Sequence, residues 1–177
     1  MQLKISKILI SKEEIEAKVL EIANQINIDY RDKELIIIGI LKGAFIVISD
    51  LAKNLTVDVT FDFMSLKSYE GLSSTGQIKI DKDLDTDITG KNILIVEDIL
   101  DTGLTLSWLT ENLLSRGAKS VSVLTVLRKP DAATVKVEAK YVGFDIPSEF
   151  VVGYGLDFNQ KYRNLPFIGV LAKHLYS

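Results

Sequence analysis

The chain has 177 residues, is 47% hydrophobic, and carries a formal net charge of -3 with one histidine and no cysteine. That length is one domain, spanning 1–177, and its acidic balance excludes the broad basic field that attracts nucleic acid or an anionic membrane. The missing cysteines exclude disulfides, thiolate nucleophiles and zinc-thiolate sites, and a lone His174 excludes a multi-histidine metal site and weakens any serine triad.

The opening segment "MQLKISKILISKEEI" has no apolar run of signal-peptide length, and no stretch approaches the ~20 apolar residues of a membrane span. The chain reads as cytoplasmic, with no membrane partner. Residues 11–29 space Ile15, Val19, Ile22 and Ile26 by three or four after a Ser11-x-x-Glu14 capping box, which predicts an amphipathic helix. "ELIIIGIL" is a nearly continuous β-branched strand, and "GAFIVISDLAKNL" predicts a helix. "VDVTFDFMSLK" alternates as a strand, "SYEGLSSTGQ" is a Gly/Ser-rich loop, and "QIKI" resumes the strand pattern. After "NILIVE" comes a helix "LTLSWLTENLLSR" with Leu106, Leu109 and Leu113 on one face, ending at Gly117. "SVSVLTVL" is a further strand, with short strands around "YVGFDI" and "FVVGYG". Strands apolar on both faces, alternating with helices, predict a parallel sheet in an α/β fold, whose ligands bind beyond the carboxyl ends of the strands.

Three signals carry no function. The ladder Asp81, Asp83, Asp85, Asp87 resembles a calcium loop, but Thr86 stands where glycine is needed and Asn92 where glutamate is needed, so it reads as a solvated acidic hairpin. Trp108 sits among helix leucines and reads as core. His174 has no partner spacing and reads as a surface or packing residue.

"ILIVEDILDTGLTL", residues 93–106, sets Glu97, Asp98 and Asp101 at a strand end and turn. In the plainest reading, Asp101 or Thr102 caps the helix and the other acids face water. Two features weigh against that. Adjacent Glu97 and Asp98 can address neighbouring hydroxyls of one ligand, and Asp101-Thr102-Gly103-Leu104-Thr105 offers amides and hydroxyls to a phosphate at a helix N-terminus. Together they describe a site for a sugar bearing a diol and a phosphate.

"VEDILDTGLT" resembles the phosphoribosyl-diphosphate signature of the type I phosphoribosyltransferases, and most of the chain, from "ELIIIGILKG" to "LPFIGVL", is similar to the hypoxanthine-guanine members. "LKGA" resembles their pyrophosphate loop, "LKSYEGLSSTGQIKI" their mobile loop, and "FVVGYGLDFNQKYRNLP" their purine-binding segment, in the family's order. The resemblance implies a central, mainly parallel sheet flanked by helices, with a small hood formed by the N- and C-terminal segments. The implied reaction is purine salvage: transfer of 5-phosphoribosyl from phosphoribosyl diphosphate to N9 of a 6-oxopurine, hypoxanthine or guanine, releasing pyrophosphate.

The same resemblance implies the site. Asp101 is the general acid/base at purine N7. Glu97 and Asp98 hold the ribose hydroxyls directly or through Mg²⁺, a cation suited to carboxylate and phosphate oxygens. Thr102, Gly103, Leu104 and Thr105 carry the 5-phosphate. Lys42, Gly43 and Arg163 meet pyrophosphate, and Ser68 and Tyr69 cover it. Lys129, whose ammonium only donates, faces the exocyclic oxygen at C6 and disfavours adenine. Phe150 stacks on the base, the main chain of Val151 reads its edge, and Asp157 serves a second metal or the 2-position. The family implies a homo-oligomer, a dimer or tetramer. Ala44 replaces a frequent glycine and Leu104 a frequent lysine, which bears on affinity. Two alternatives stay open: a xanthine-accepting transferase, and a non-catalytic regulator that senses phosphoribosyl diphosphate, although the acidic balance counts against nucleic-acid binding.

Overall fold

Ser11 starts the first helix by the expected reciprocal cap: its hydroxyl accepts from the Glu14 amide at 3.2 Å, and the Glu14 carboxylate accepts from the Ser11 amide at 2.8 Å. The structure, a computed structural model, describes residues 4–68 and 78–176, with Ser68 described in its main chain alone. Tyr69 and the glycine-serine loop after it lie outside the described residues, as does the Ser68 side chain.

Strand β1 (Ile5–Ile10) precedes α1 (Lys12–Asp29), β2 (Leu35–Leu41), α2 (Phe45–Ala52), β3 (Val59–Ser68) and β4 (Ile78–Lys82). Then come β5 (Asn92–Leu100), α3 (Leu104–Ser115), β6 (Ser120–Arg128), β7 (Tyr141–Asp145), β8 (Val151–Val152) and β9 (Ile168–Leu171). Six strands form one sheet in the order β4-β3-β2-β5-β6-β7, in which β4 alone runs antiparallel. The unbroken apolar runs follow from two-sided burial. In β2, Leu35 and Ile37 pack with α1 and α2, while Ile36, Ile38 and Ile40 pack with α3. In β5, Leu94 and Val96 take the first face and Ile93 and Ile95 the second. Leu106, Leu109 and Leu113 seat α3 on the second face, each burial contributing about 1.5–3 kcal/mol. Trp108 is partly buried against that cluster, and His174 is exposed.

A second, three-stranded antiparallel sheet in the order β1-β9-β8 joins the two ends of the chain into the expected hood. Two of its strands, the outer β1 and the central β9, lacked a pattern in the sequence. β1 is mostly exposed with no clean alternation, and β9 is four buried residues, too short to tell from a helix segment.

The acidic ladder starts at Asp81 near the end of β4 and continues through the connection to β5, and does not form a hairpin of its own. Asp81 pairs with Lys67, Asp83 with Arg116 and Asp85 with Lys82, and Asp87 accepts from the Thr89 amide and hydroxyl. Buried Asp62 pins it by accepting the amides of Asp85 and Thr86. Among the described residues, no helix is long and apolar enough to cross a membrane.

Candidate active site

The sheet order decides what meets what. β2 leads outward to β3 on one side and β5 to β6 on the other, so the chain switches direction between β2 and β5. The carboxyl ends of these parallel neighbours open on one crevice, the position where open α/β sheets hold ligands. Lys42 and Gly43 follow β2, Glu97 and Asp98 lie near the end of β5, and Lys129 follows β6 with its amide donating to Leu100 O at 3.0 Å. A cleft of about 230 Å³ is lined by Glu97, Asp98, Ile99, Leu100, Asp101, Thr102, Gly103, Thr105 and Leu106. A larger cleft of about 570 Å³, lined by Lys4, Phe45 and residues 160–164, holds no acidic group.

Glu97 and Asp98 form an electrostatically stressed pair. Burial, reinforced by the charge of Asp98, raises Glu97 well above the usual carboxylate range. Burial raises Asp98 as well, against the opposing hydrogen bond with Glu97, the Ile99 amide at 2.8 Å and the nearby Arg163 charge. A cation or the hydroxyls of a polyol would relieve such a pair.

Asp101 and Thr102 do not cap α3. The N-cap is Gly103, at φ 86°, and no side chain caps the helix; the nearest approach is the Leu104 amide to Thr102 Oγ1 at 3.4 Å. A Cβ on Gly103 would lie 2.5 Å from Val135 O, so the left-handed turn under residues 134–135 admits only glycine. That segment clamps the turn from outside, since the Thr134 and Val135 amides both donate to Thr102 O. Beyond the Leu104 amide, the first amides of α3 have no side-chain acceptor among the described residues, beside exposed Asp101 and Thr102, exposed Leu104 and half-buried Thr105. An uncapped helix N-terminus of this kind suits an anion.

The pyrophosphate-loop residues sit against the carboxylates. The Leu41-Lys42 peptide is cis. A Cβ on Gly43 would lie 1.7 Å from Asp98 Oδ2, and one on Gly155, at φ 100°, would lie 2.0 Å from Gly43 O. Three elements therefore stack closely: the Asp98 carboxylate of β5 lies on the Gly43 turn, and the Gly43 main chain lies on the Gly155 turn. Arg163 locks the last of these, donating to Gly155 O at 2.7 Å and to Gln160 Oε1 at 3.1 Å, and pairing with Asp157 at 2.7 Å. Lys42 Nζ donates to the same Gln160 Oε1 at 3.3 Å. Asp157 is thus committed to Arg163 and the Gln160 amide, and among the described residues no three acidic side chains gather on one point.

Lys129 is half-buried and, among the described residues, its ammonium has no hydrogen-bond or ion-pair partner. A lysine held this way has donors to spare. Phe150 is 37% exposed, and Val151 lies on β8, the edge strand of the hood sheet, whose outer side presents main-chain groups.

Comparison with known proteins agrees with this fold. Residues 7–159 match the phosphoribosyl transferase domain family. The chain is 49% identical to the hypoxanthine-guanine phosphoribosyltransferase of Mycobacterium bovis, over 97% of this chain and 89% of that protein. Against the same enzyme of Bacillus subtilis the identity is 47%, over 97% and 96%. A crystal structure of a hypoxanthine phosphoribosyltransferase from Staphylococcus aureus matches with a TM-score of 0.96 at 46% identity, covering 100% of this chain and 97% of that one. The chain belongs to the hypoxanthine-guanine phosphoribosyltransferase family.

Within that family frame, the structure adds residues that the sequence pattern did not single out. Ile99 walls the cleft between Asp98 and Leu100. Gln160 ties Lys42 to Arg163, and Gly155 presses on Gly43. The backbone around them is strained, with Tyr154, Asn159, Gln160 and Tyr162 all at positive φ between 50° and 76°. Such conformations cluster where surrounding structure holds a binding segment in place. The one advance signal was the glycine pair in "VGYGLD", two left-handed positions in a purine-binding motif.

Proposed function

We propose that the chain transfers 5-phosphoribosyl from phosphoribosyl diphosphate to N9 of hypoxanthine or guanine, giving the nucleotide and pyrophosphate in cytoplasmic purine salvage. The observation that carries this reading is the raised carboxylate pair of Glu97 and Asp98 beside the uncapped N-terminus of α3. The adjacent acids take the ribose 2- and 3-hydroxyls, and the free amides with Thr102 and Thr105 take the 5-phosphate. The spacing follows from one strand-to-helix turn, so both ends of the sugar are fixed by one rigid element.

As the C1–O bond to pyrophosphate breaks, positive charge develops on the ribosyl ring, and the two carboxylates beneath it stabilise that charge. Lys42, Gly43 and Arg163 hold the departing pyrophosphate, and Ser68 and Tyr69 cover it. Asp101 holds the proton at purine N7 while N9 bonds to C1. The hydrogen bond to Lys129 fixes a base that bears an oxygen at C6, Phe150 stacks on it, and the Val151 main chain reads its edge. The residues present fit Mg²⁺: Glu97 and Asp98 are adjacent hard oxygen donors whose crowding a cation would relieve, and Asp157 would supply a second position. When bound, the ion neutralises the leaving pyrophosphate. Two or four copies of the chain assemble together, as the family resemblance implies.

The base assignment is tested at Lys129. Lys129→Ala leaves the C6 oxygen unpaired in a closed site, so transition-state stabilisation with hypoxanthine falls by about 1–3 kcal/mol and discrimination against adenine shrinks. Steady-state kinetics with both bases check this. Unchanged kcat/KM for both would assign Lys129 to the protein surface.

A further inference from the structure

Phe150 is held on two sides. Phe158 meets its edge at 5.7 Å and 89°, and Tyr176 stacks on it at 4.9 Å and 27°. A phenyl ring has two faces; Tyr176 covers one, Phe158 meets the edge, and Phe150 is still 37% exposed as a residue. The stack is built from the main chain outward. The Ala172 amide donates to Lys4 O at 2.9 Å, the Leu171 amide to Phe150 O at 2.9 Å, and the Tyr176 amide to Lys173 O at 3.1 Å. Leu175 packs into the hood cluster with Phe158, so the turn that delivers Tyr176 and the ring that braces the Phe150 edge share one small core.

We propose that Tyr176 is a positioning residue for the purine: it backs one face of Phe150, fixing the ring plane so that the base stacks on the opposite face. This rests on the transferase reading above, which places the base on Phe150. A two-ring stack loses less freedom on accepting a third ring than a lone phenyl that can turn about χ1, so the effect falls on base binding. The tyrosine hydroxyl has no part in it. Nor does the sugar-phosphate side, which is held by β5, α3 and the Gly43 turn.

The test uses the full chain with Tyr176→Ala and Tyr176→Phe, measuring KM for hypoxanthine, KM for phosphoribosyl diphosphate, kcat and melting temperature. Removing the ring should raise the KM for hypoxanthine roughly 2–10-fold, the range expected from one aromatic pair, with the KM for phosphoribosyl diphosphate and kcat near wild type. Tyr176→Phe should restore the wild-type value. A KM for the base that is unchanged in Tyr176→Ala overturns the proposal, and one that falls means that Tyr176 occupies the base's own face. Parallel loss in both substrates with a lowered melting temperature overturns it in favour of plain packing. Absence of nucleotide from the wild-type chain, a distinct result, overturns the transferase reading and this proposal with it.

Discussion

Asp101→Asn should lower kcat by about 10²–10⁴-fold, the usual worth of general acid–base help, while phosphoribosyl diphosphate still binds and the fold survives. The structure makes this substitution cleaner than its sequence position implies. Asp101 is exposed in the turn after β5, and α3 begins at Gly103 without any side-chain cap, so replacing the carboxylate undoes no helix start. The phosphate contacts proposed for the helix amides and for Thr102 and Thr105 are left in place by the change. Melting temperature checks the fold, and kinetics at varied phosphoribosyl diphosphate separate turnover from binding. Near-normal turnover, or weakened binding as the main defect, would return Asp101 to a phosphate-loop role.

Asp98→Asn should act in the opposite way on two measurements at once. Glu97 and Asp98 both sit above the usual carboxylate range because burial, and for Glu97 the neighbouring charge, disfavours ionisation. The folded protein therefore binds more protons than the unfolded chain between the ordinary carboxylate range and the raised values. Stability must fall as pH rises through that window, since the slope follows protons bound unfolded minus folded. Neutralising Asp98 removes part of the repulsion, so the melting temperature near neutral pH should rise, by about 2–4 °C for each kcal/mol relieved, and its decline with pH should flatten. Binding moves the other way. The site loses a carboxylate for the diol and the cation, so the KM for phosphoribosyl diphosphate and the Mg²⁺ requirement should both increase, and Glu97→Gln should do the same. A melting temperature that drops with binding unchanged would make the pair a structural feature.

The parallel sheet was legible because β2, β5 and β6 are buried on both faces and so read as continuous apolar runs, and α1 was legible through its capping box. The carboxylate cluster was legible because acids at the end of such a strand have no packing reason to be there. What pattern could not give is what depends on contacts distant in sequence. Nothing local says that Gly155 must pass within van der Waals distance of Gly43, that Gln160 bridges Lys42 and Arg163, or that Tyr176 lies on Phe150. The resemblance assigns Asp157 to a second metal or the 2-position, and only the fold reveals its pairing with Arg163. The acidic ladder misled for a related reason. Its partners Lys67 and Arg116 come from β3 and from the end of α3, elements the local pattern cannot join.

The central claim is the chemistry at the β5 carboxyl end, and its most direct measurement is nucleotide formation from phosphoribosyl diphosphate, Mg²⁺ and each of hypoxanthine, guanine, xanthine and adenine, with pyrophosphate counted in the same reaction. The account predicts one pyrophosphate released per nucleotide formed with hypoxanthine or guanine, and little turnover of adenine. Binding of phosphoribosyl diphosphate without nucleotide or pyrophosphate from any of the four bases would contradict it and leave a sensor of that ligand in place of an enzyme.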